Sequence, residues 1–306
     1  MMNEESEQLP VTEQQNPRAS NLEQLSALEI VRLMNEEDMG VARAVEKALP
    51  HVALAVDEIV ERLRQGGRLF YTGTGTSGRL GVLDAAECPP TFGVPPEMVQ
   101  AVIAGGYEAV YRATEASEDD DRAAVRDLEA RGLGSGDALV GLTASGTTRY
   151  TIGSIKHARS LGAFTAALTC VPDSLITREA DISIVAMVGP EILAGSTRLK
   201  AGTAQKMILN MLSTATMIRL GYVSGNRMSN LQMRNAKLRR RGMRILMSEA
   251  GIDEERALAM LDQTEGSLAV ALVMSRTGRS REEAERALAA SRGAVGKAVD
   301  NLQNNE

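Results

Sequence analysis

The chain contains no tryptophan, and its aromatic residues make up only 3% of 306 positions. That scarcity argues against stacking platforms for single-stranded nucleic acid. The net charge of −6 argues in the same direction, against nucleic acid and acidic membranes as partners of the whole chain. Two cysteines, Cys88 and Cys170, make no disulfide framework and suit a reducing compartment. Only two histidines are present, His51 and His157, and neither has a metal-ligand neighbour in sequence. Both read as helix surface or packing residues, and no metal site is predicted. No apolar run approaches the length of a membrane span. The first residues are acidic and polar, unlike a signal peptide. The expectation is a cytoplasmic protein of one large or two ordinary domains, with 43% hydrophobic residues to build a core.

What the chain does have is concentrated between Arg68 and Gly93. Leu69, Phe70 and Tyr71 read as a buried strand. A run of glycine and hydroxyl residues follows: Gly73, Thr74, Gly75, Thr76, Ser77, Gly78. Leu80, Val82 and Leu83 then open a helix. Glycines let backbone N–H groups approach a ligand, and a helix start adds unpaired N–H groups and partial positive charge. Strand, loop and helix start form an anion cradle, most often for phosphate. No lysine follows the last glycine, so this is not a Walker loop. Gly73, Gly75 and Gly78 fit the G-x-G-x-x-G spacing, but the next strand ends in Gly105-Gly106, without the ribose-binding acid of a dinucleotide site. A purely structural turn is the competing reading. Glu87 lies nine residues beyond Gly78 and is a candidate acid or base. Pro89 and Pro90 are expected to end its helix.

The rest of the chain supports an α/β reading. Residues 1–20 are polar, with Pro10 and Pro17, and read as a mobile arm that could order against a partner subunit. Three helices are predicted before the first strand: 22–35, 41–49 capped by Asp38, and a third headed by Pro50. Strands are predicted at 69–71, 99–104, 138–143, 163–168 and 182–187, as continuous apolar runs of the kind found in a parallel sheet covered on both faces. Helical segments between them make a doubly wound domain, with ligands expected at the carboxyl ends of the strands. The third strand runs into a second hydroxyl-rich turn, Thr143-Ala144-Ser145-Gly146-Thr147-Thr148. Two such turns aimed at one crevice suit a sugar phosphate, although Ser145 or Thr147 could instead cap the next helix. The acidic run from Glu115 through Glu118 to Asp121 reads as a solvated helix face or as catalytic carboxylates beside the crevice. Arg198 and Lys200 could neutralise an anion or lie exposed.

The helix 207–220 is apolar on nearly every side, through Met207, Ile208, Leu209, Met211, Leu212, Met217, Ile218 and Leu220. Such a helix needs cover all round, from other helices or a second subunit, and a dimer with this helix at or near its interface is predicted. After Tyr222 comes a basic segment: Arg227, Arg234, Lys237, Arg239, Arg240, Arg241 and Arg244. It reads as one long solvated helix face. Then Glu255, Ala257, Leu261, Gly266 and Ala271 recur 27 positions later as Glu282, Ala284, Leu288, Gly293 and Ala298, a duplicated helical packing element.

These motifs resemble the N-acetylmuramic acid 6-phosphate etherases, of the sugar isomerase (SIS) fold. The resemblance rests on Thr-Gly-Thr-Gly-Thr-Ser-Gly-Arg-Leu from Thr72 and on Glu87-Cys88-Pro89-Pro90-Thr91. It continues through Thr12-Glu13 and Asn16, residues 103–106, 144–148 and 195–206, nearly the whole chain. One mild departure is Glu23, where the family pattern has Asp. Glucokinase regulatory proteins share much of the pattern but are built from two such domains. The resemblance implies an SIS-type five-stranded parallel sheet over residues 68–222. It also implies helices packing on it from 1–67, and a small all-helical C-terminal region, UBA-like, over 223–306. It implies cleavage of the ether between C3 of the amino sugar and D-lactate, with no metal or other cofactor, by a homodimer. Glu87 matches the proton-donor glutamate and Glu118 the second catalytic glutamate, with Glu115 as its neighbour. Thr76, Ser77, Gly78, Ser145, Gly146, Thr147 and Thr148 are the expected phosphate and sugar contacts. A sugar-phosphate-sensing regulatory protein and an aldose–ketose isomerase are the alternative functions.

Overall fold

The computed structural model describes residues 9–113, 118–224, 226–228, 230 and 236–304. Contacts divide the chain into two compact units. The first runs to Ala85 and resumes over Val99–Leu212. The second comprises Ala86–Met98 and the chain from Ser213 onward.

The first unit opens with short 3-10 turns rather than a free arm. Asn16 donates to Glu37 (2.8 Å) and to the carbonyl of Pro190 (3.3 Å), and Gly195 N–H donates to the carbonyl of Thr12 (3.1 Å). The expected mobile arm is therefore corrected over the described residues from Leu9: it straps the chain's own 190–195 segment. Helix α1 (Ala27–Asp38) starts later than predicted because Ser26 and Glu29 form a capping box. Leu22–Gln24 is a separate 3-10 turn.

Helix α2 (Val41–Arg64) is one helix where two were predicted, and its N-cap is Gly40 rather than Asp38. Pro50 lies inside it, on the exposed side. Glu46, whose carbonyl an N–H at position 50 would have met, is likewise exposed, and the buried stripe Ala44, Ala48, Val52, Ala55, Ile59 stays in phase through the break.

Five parallel strands follow: β1 (Leu69–Gly73), β2 (Val99–Ile103), β3 (Ala138–Leu142), β4 (Phe164–Thr169) and β5 (Ile182–Val185). Their order is β2-β1-β3-β4-β5. Every residue of β1, β3 and β4 is buried, which is what their unbroken apolar character requires. The chain steps from β1 to β2 on one side, then crosses to β3 on the other. Gly73 consequently lies in register with both Ile103 and Leu142. The crossovers carry α3 (Gly75–Phe92), α4 (Glu108–Tyr111), α5 (Asp121–Glu129) and α6 (Arg149–Ser160); α7 (Lys200–Leu220) follows the sheet. Arg68 bridges the starts of β1 and β3 through Asp137, by backbone N–H (2.8 Å) and guanidinium (2.7 Å).

Helix α7 answers the expectation drawn from its composition. Ile208, Leu209, Leu212, Met217 and Leu220 are buried by this chain alone, and only Ile218 among its large apolar residues is exposed. The helix belongs to the interior of one chain, so its apolar girth is no longer an argument for a dimer.

The second unit holds a two-stranded hairpin, β6 (Val223–Ser224) and β7 (Arg227–Met228). Five helices follow: α8 (Ala236–Ala250), α9 (Glu254–Gln263), α10 (Leu268–Thr277), α11 (Arg281–Ala290) and α12 (Val295–Gln303). The sequence repeat is a structural one. Asp253 and Ser280 cap α9 and α11. Glu265-Gly266 and Arg292-Gly293 make the same left-handed turn, with φ of 51° and 80° against 52° and 85°. Leu261 and Leu288, Leu268 and Val295, Ala271 and Ala298 are buried in one shared core. Arg234 of the basic segment lies outside the described residues.

The strap is tied to the unit by a buried charge. Lys200, expected at an anion or in solvent, is 5% exposed and pairs with Glu37 at 2.6 Å. Burial alone would raise the Glu37 carboxyl. Hydrogen bonds from Lys200 and Asn16 and the charges of Lys200 and Arg18 outweigh it and hold the group below its usual range. A lowered folded-state value means the unfolded chain binds more protons. The stabilisation is therefore present above the ordinary carboxylate range and is lost as pH falls through the Glu37 value. Replacing Glu37 by Leu leaves Lys200 buried and unpaired, at a cost of about 3–5 kcal/mol. Urea unfolding at pH 7 should show that loss, and the variant should lack the part of the acid sensitivity that Glu37 supplies.

Candidate functional site

The strand order reverses between β1 and β3, and that switch point is where open α/β sheets bind ligands, outside the carboxyl ends of the strands. Both hydroxyl-rich turns leave the sheet there. Helix α3 begins at Gly75, so the expected loop shrinks to Thr74, and Thr76, Ser77 and Gly78 form the first helical turn. Gly78 N–H bonds the carbonyl of Thr74 at 2.9 Å. The N–H groups of Gly75, Thr76 and Ser77 precede that first intrahelical bond and point out of the helix start. Gly78 permits the approach: a Cβ there would lie 2.7 Å from the carbonyl oxygen of Gly73 and 2.7 Å from Ile103.

The second turn is built from hydroxyls that bond one another. Thr143 meets Thr148 at 2.8 Å, and Ser145 meets Thr147 at 2.9 Å. Thr148 is the N-cap of α6, yet its side chain makes no capping bond. The capping alternative thus loses support, and these hydroxyls remain available to an incoming oxygen. Gly146 has φ of 75°, and a Cβ on it would lie 2.1 Å from the Ser174 hydroxyl. Only glycine fits that corner.

Glu118 reaches the head of α3. A Cβ built on Gly75 would sit 3.5 Å from its carboxylate oxygen, and its backbone carbonyl accepts from Tyr150 N–H at 3.0 Å. Glu118 is exposed, and Glu115 lies outside the described residues. Glu87 is also exposed and sits ten residues after Ser77 on the same helix, roughly 15 Å along its axis. The helix does not stop at the prolines. Pro89 and Pro90 fall in its last turn, and Gly93, with φ of 68°, closes it by bonding the Pro89 carbonyl at 2.9 Å. Two missing N–H groups near a helix end shorten the ladder without breaking the turn.

Several supporting residues carry no sequence signal of their own. Ser77 donates to Gln205 at 2.9 Å, in a buried contact across 128 positions of sequence. The Gln205 amide nitrogen is buried with no partner among the described residues. With the amide reversed, Gln205 donates to Ser77 and the serine proton turns toward a ligand. Asp84, also buried, accepts from Tyr71 (3.0 Å) and Asn210 (2.8 Å) and so fixes α3 against β1 and α7. Glu191 accepts from the N–H groups of Lys200 (3.0 Å) and Ala201 (2.9 Å), capping α7. Burial raises its carboxyl despite those bonds. Burial first, then the Glu191 charge, pushes the Cys170 thiol up to about 12, which makes it a poor nucleophile. Arg198 is exposed. His51 is exposed on α2 and His157 half-buried on α6, as expected of surface and packing residues.

Comparison with known proteins places these features in a family. The profile of the glucokinase regulatory protein N-terminal SIS domain matches residues 51–159, and that of the SIS domain matches 121–215. An N-acetylmuramic acid 6-phosphate etherase of Clostridium beijerinckii is 47% identical over 293 residues, 96% of each chain. That of Symbiobacterium thermophilum is 53% identical over 263 residues, 86% of this chain and 87% of the relative. The chain belongs to the N-acetylmuramic acid 6-phosphate etherase family. A Bacteroides fragilis protein involved in capsule formation, described as a phosphosugar isomerase, shares the SIS fold. Its TM-score is 0.50 at 23% identity, over 66% of this chain and 95% of that one.

Gly78 is the position in this etherase-family site where an added Cβ would press on strand backbone. Gly78→Ala should destabilise the first unit by about 1–3 kcal/mol, the cost of overpacking against backbone, read as a lower Tm. Gly134→Ala is the control, at a glycine with open space around it and no left-handed backbone.

Proposed function

We propose that the chain cleaves the D-lactyl ether of N-acetylmuramic acid 6-phosphate to N-acetylglucosamine 6-phosphate and D-lactate. The reading rests on near-full-length identity with the etherases, and a phosphate cradle at the β1/β3 switch point supports it. The hydroxyls of Ser77, Ser145, Thr147 and Thr148 and the N–H groups of Thr76 and Ser77 take the 6-phosphate, with Gly78 and Gly146 allowing its close approach.

An ether carbon–oxygen bond resists direct hydrolysis, so the reaction proceeds by elimination and addition. Ring opening gives a C1 aldehyde that acidifies the C2 proton. Glu118 takes that proton as base, the C3–oxygen bond breaks, and Glu87 protonates the departing lactyl oxygen. Water then adds to C3 of the C2=C3 double bond and a proton returns to C2. The acid and base roles need unequal environments for the two carboxyls, of the kind that burial or a neighbouring phosphate creates.

Glu87 acts on substrate held by the partner subunit's cradle, which calls for a homodimer. Supporting this, no residue of α1 is buried in the single chain, and Leu28, Val31, Leu49 and Leu54 are exposed on α1 and α2. The enzyme then works in the cytoplasm, where its phosphorylated substrate is retained.

Release of D-lactate from the phosphorylated substrate, with solvent label entering at C2 and C3, tests the reaction. It also separates the etherase from a non-catalytic sugar-phosphate sensor, the reading suggested by the regulatory-protein profile. Glu87→Gln should lower turnover on the order of a hundredfold or more while N-acetylglucosamine 6-phosphate still binds. Ser145→Ala should weaken that binding by about 1.5–3 kcal/mol. Mixing inactive Glu87→Gln and Glu118→Gln chains tests the shared site. If each site takes one glutamate from each subunit, random mixing restores about a quarter of the sites. If both come from one chain, no activity returns.

A further inference from the structure

The basic segment has no task in the reaction above. Arg240, Arg241 and Arg244 occupy one arc of α8, and Arg227 approaches from β7, so that two elements of the helical unit converge on an open cleft of about 710 Å³. Met228 and the buried Ile245 give it an apolar floor, and Ser248 adds a hydroxyl at its wall.

The charge there is unbalanced. Arg227 pairs with Glu249 at 3.4 Å, but Arg276 holds the same carboxylate. Among the described residues no carboxylate pairs with Arg240, Arg241 or Arg244, all exposed. Arg241 turns its guanidinium to the Met228 sulfur, at 3.9 Å. An ordinary solvated helix face mixes signs, as α11 does in Arg281, Glu282, Glu283, Glu285 and Arg286. Here a chain of net charge −6 sets four guanidiniums around one concavity. Like charges so close repel unless an anion joins them. The planar guanidinium fork matches phosphate oxygens two at a time, and the cleft volume is that of a small-molecule site.

We propose that this cleft is a second anion site, built wholly from the helical unit. Its ligand is a small phosphorylated molecule with at least two anionic groups and an apolar part that lies on Met228 and Ile245. The first cradle holds phosphate by N–H groups and hydroxyls; this one does so by charge, so its binding is steeply salt-dependent.

Calorimetric titration of the full-length protein with inorganic pyrophosphate tests it, at low salt and with N-acetylglucosamine 6-phosphate present. Turnover is not read, so the outcome stands apart from that of the lactate assay. One pyrophosphate per chain is expected, weakened about tenfold or more in the double variant R240Q/R244Q and less in R240K/R244K, which keeps the charge but loses the fork. Thermal melting checks folding of each; should the double glutamine variant not fold, R241Q alone must still weaken binding. Unchanged binding in the variants, or displacement of pyrophosphate by the sugar phosphate, overturns the proposal. So does a shift of R240Q/R244Q to a smaller species in sedimentation, which would assign the cleft to a second copy of the chain.

Discussion

The head of α3 lies so close to β1 that no side chain fits between them at Gly78, and the site depends on that contact. It holds three unpaired N–H groups over the carboxyl end of the strand. Because β1 is the pivot of the sheet, the same point lies beside the end of β3 and its hydroxyl turn. Asp84 clamps the helix one turn before Glu87 by joining Tyr71 of β1 to Asn210 of α7, so the approach is fixed along its length. A cradle without lysine or arginine gains little from long-range attraction. It depends on geometry, which explains why its glycines are more constrained than its hydroxyls.

Much of this was legible in the chain. The parallel sheet could be read because strands covered on both faces must be continuously apolar. The cradle could be read because a tight strand-to-helix turn needs glycine. The repeat was visible because Gly266 and Gly293 take the same left-handed turn. Failures came where a local rule met a compensating environment. Pro50 reads as a helix start, but it lies on the exposed side of α2 and the buried stripe carries the helix through. Lys200 reads as exposed or anion-binding because its partner, Glu37, is remote in sequence. Gln205 gave no signal for the same reason: nothing in sequence ties it to Ser77. Helix α7 is apolar in girth as its sequence reads, but composition shows that a face is covered and not which chain covers it.

The placement of the two carboxylates is the last constraint. The cradle stands at the head of α3, and the glutamate proposed to donate a proton follows about three turns later in the same helix. In a single chain both glutamates are also open to water. An elimination that needs one carboxyl charged and the other protonated requires an environment that treats them differently. Neither the cradle nor the helix provides it alone. A second subunit that brings its own α3 to the crevice would shorten the distance and exclude water in one step, which is why the proposed chemistry and the proposed dimer stand or fall together.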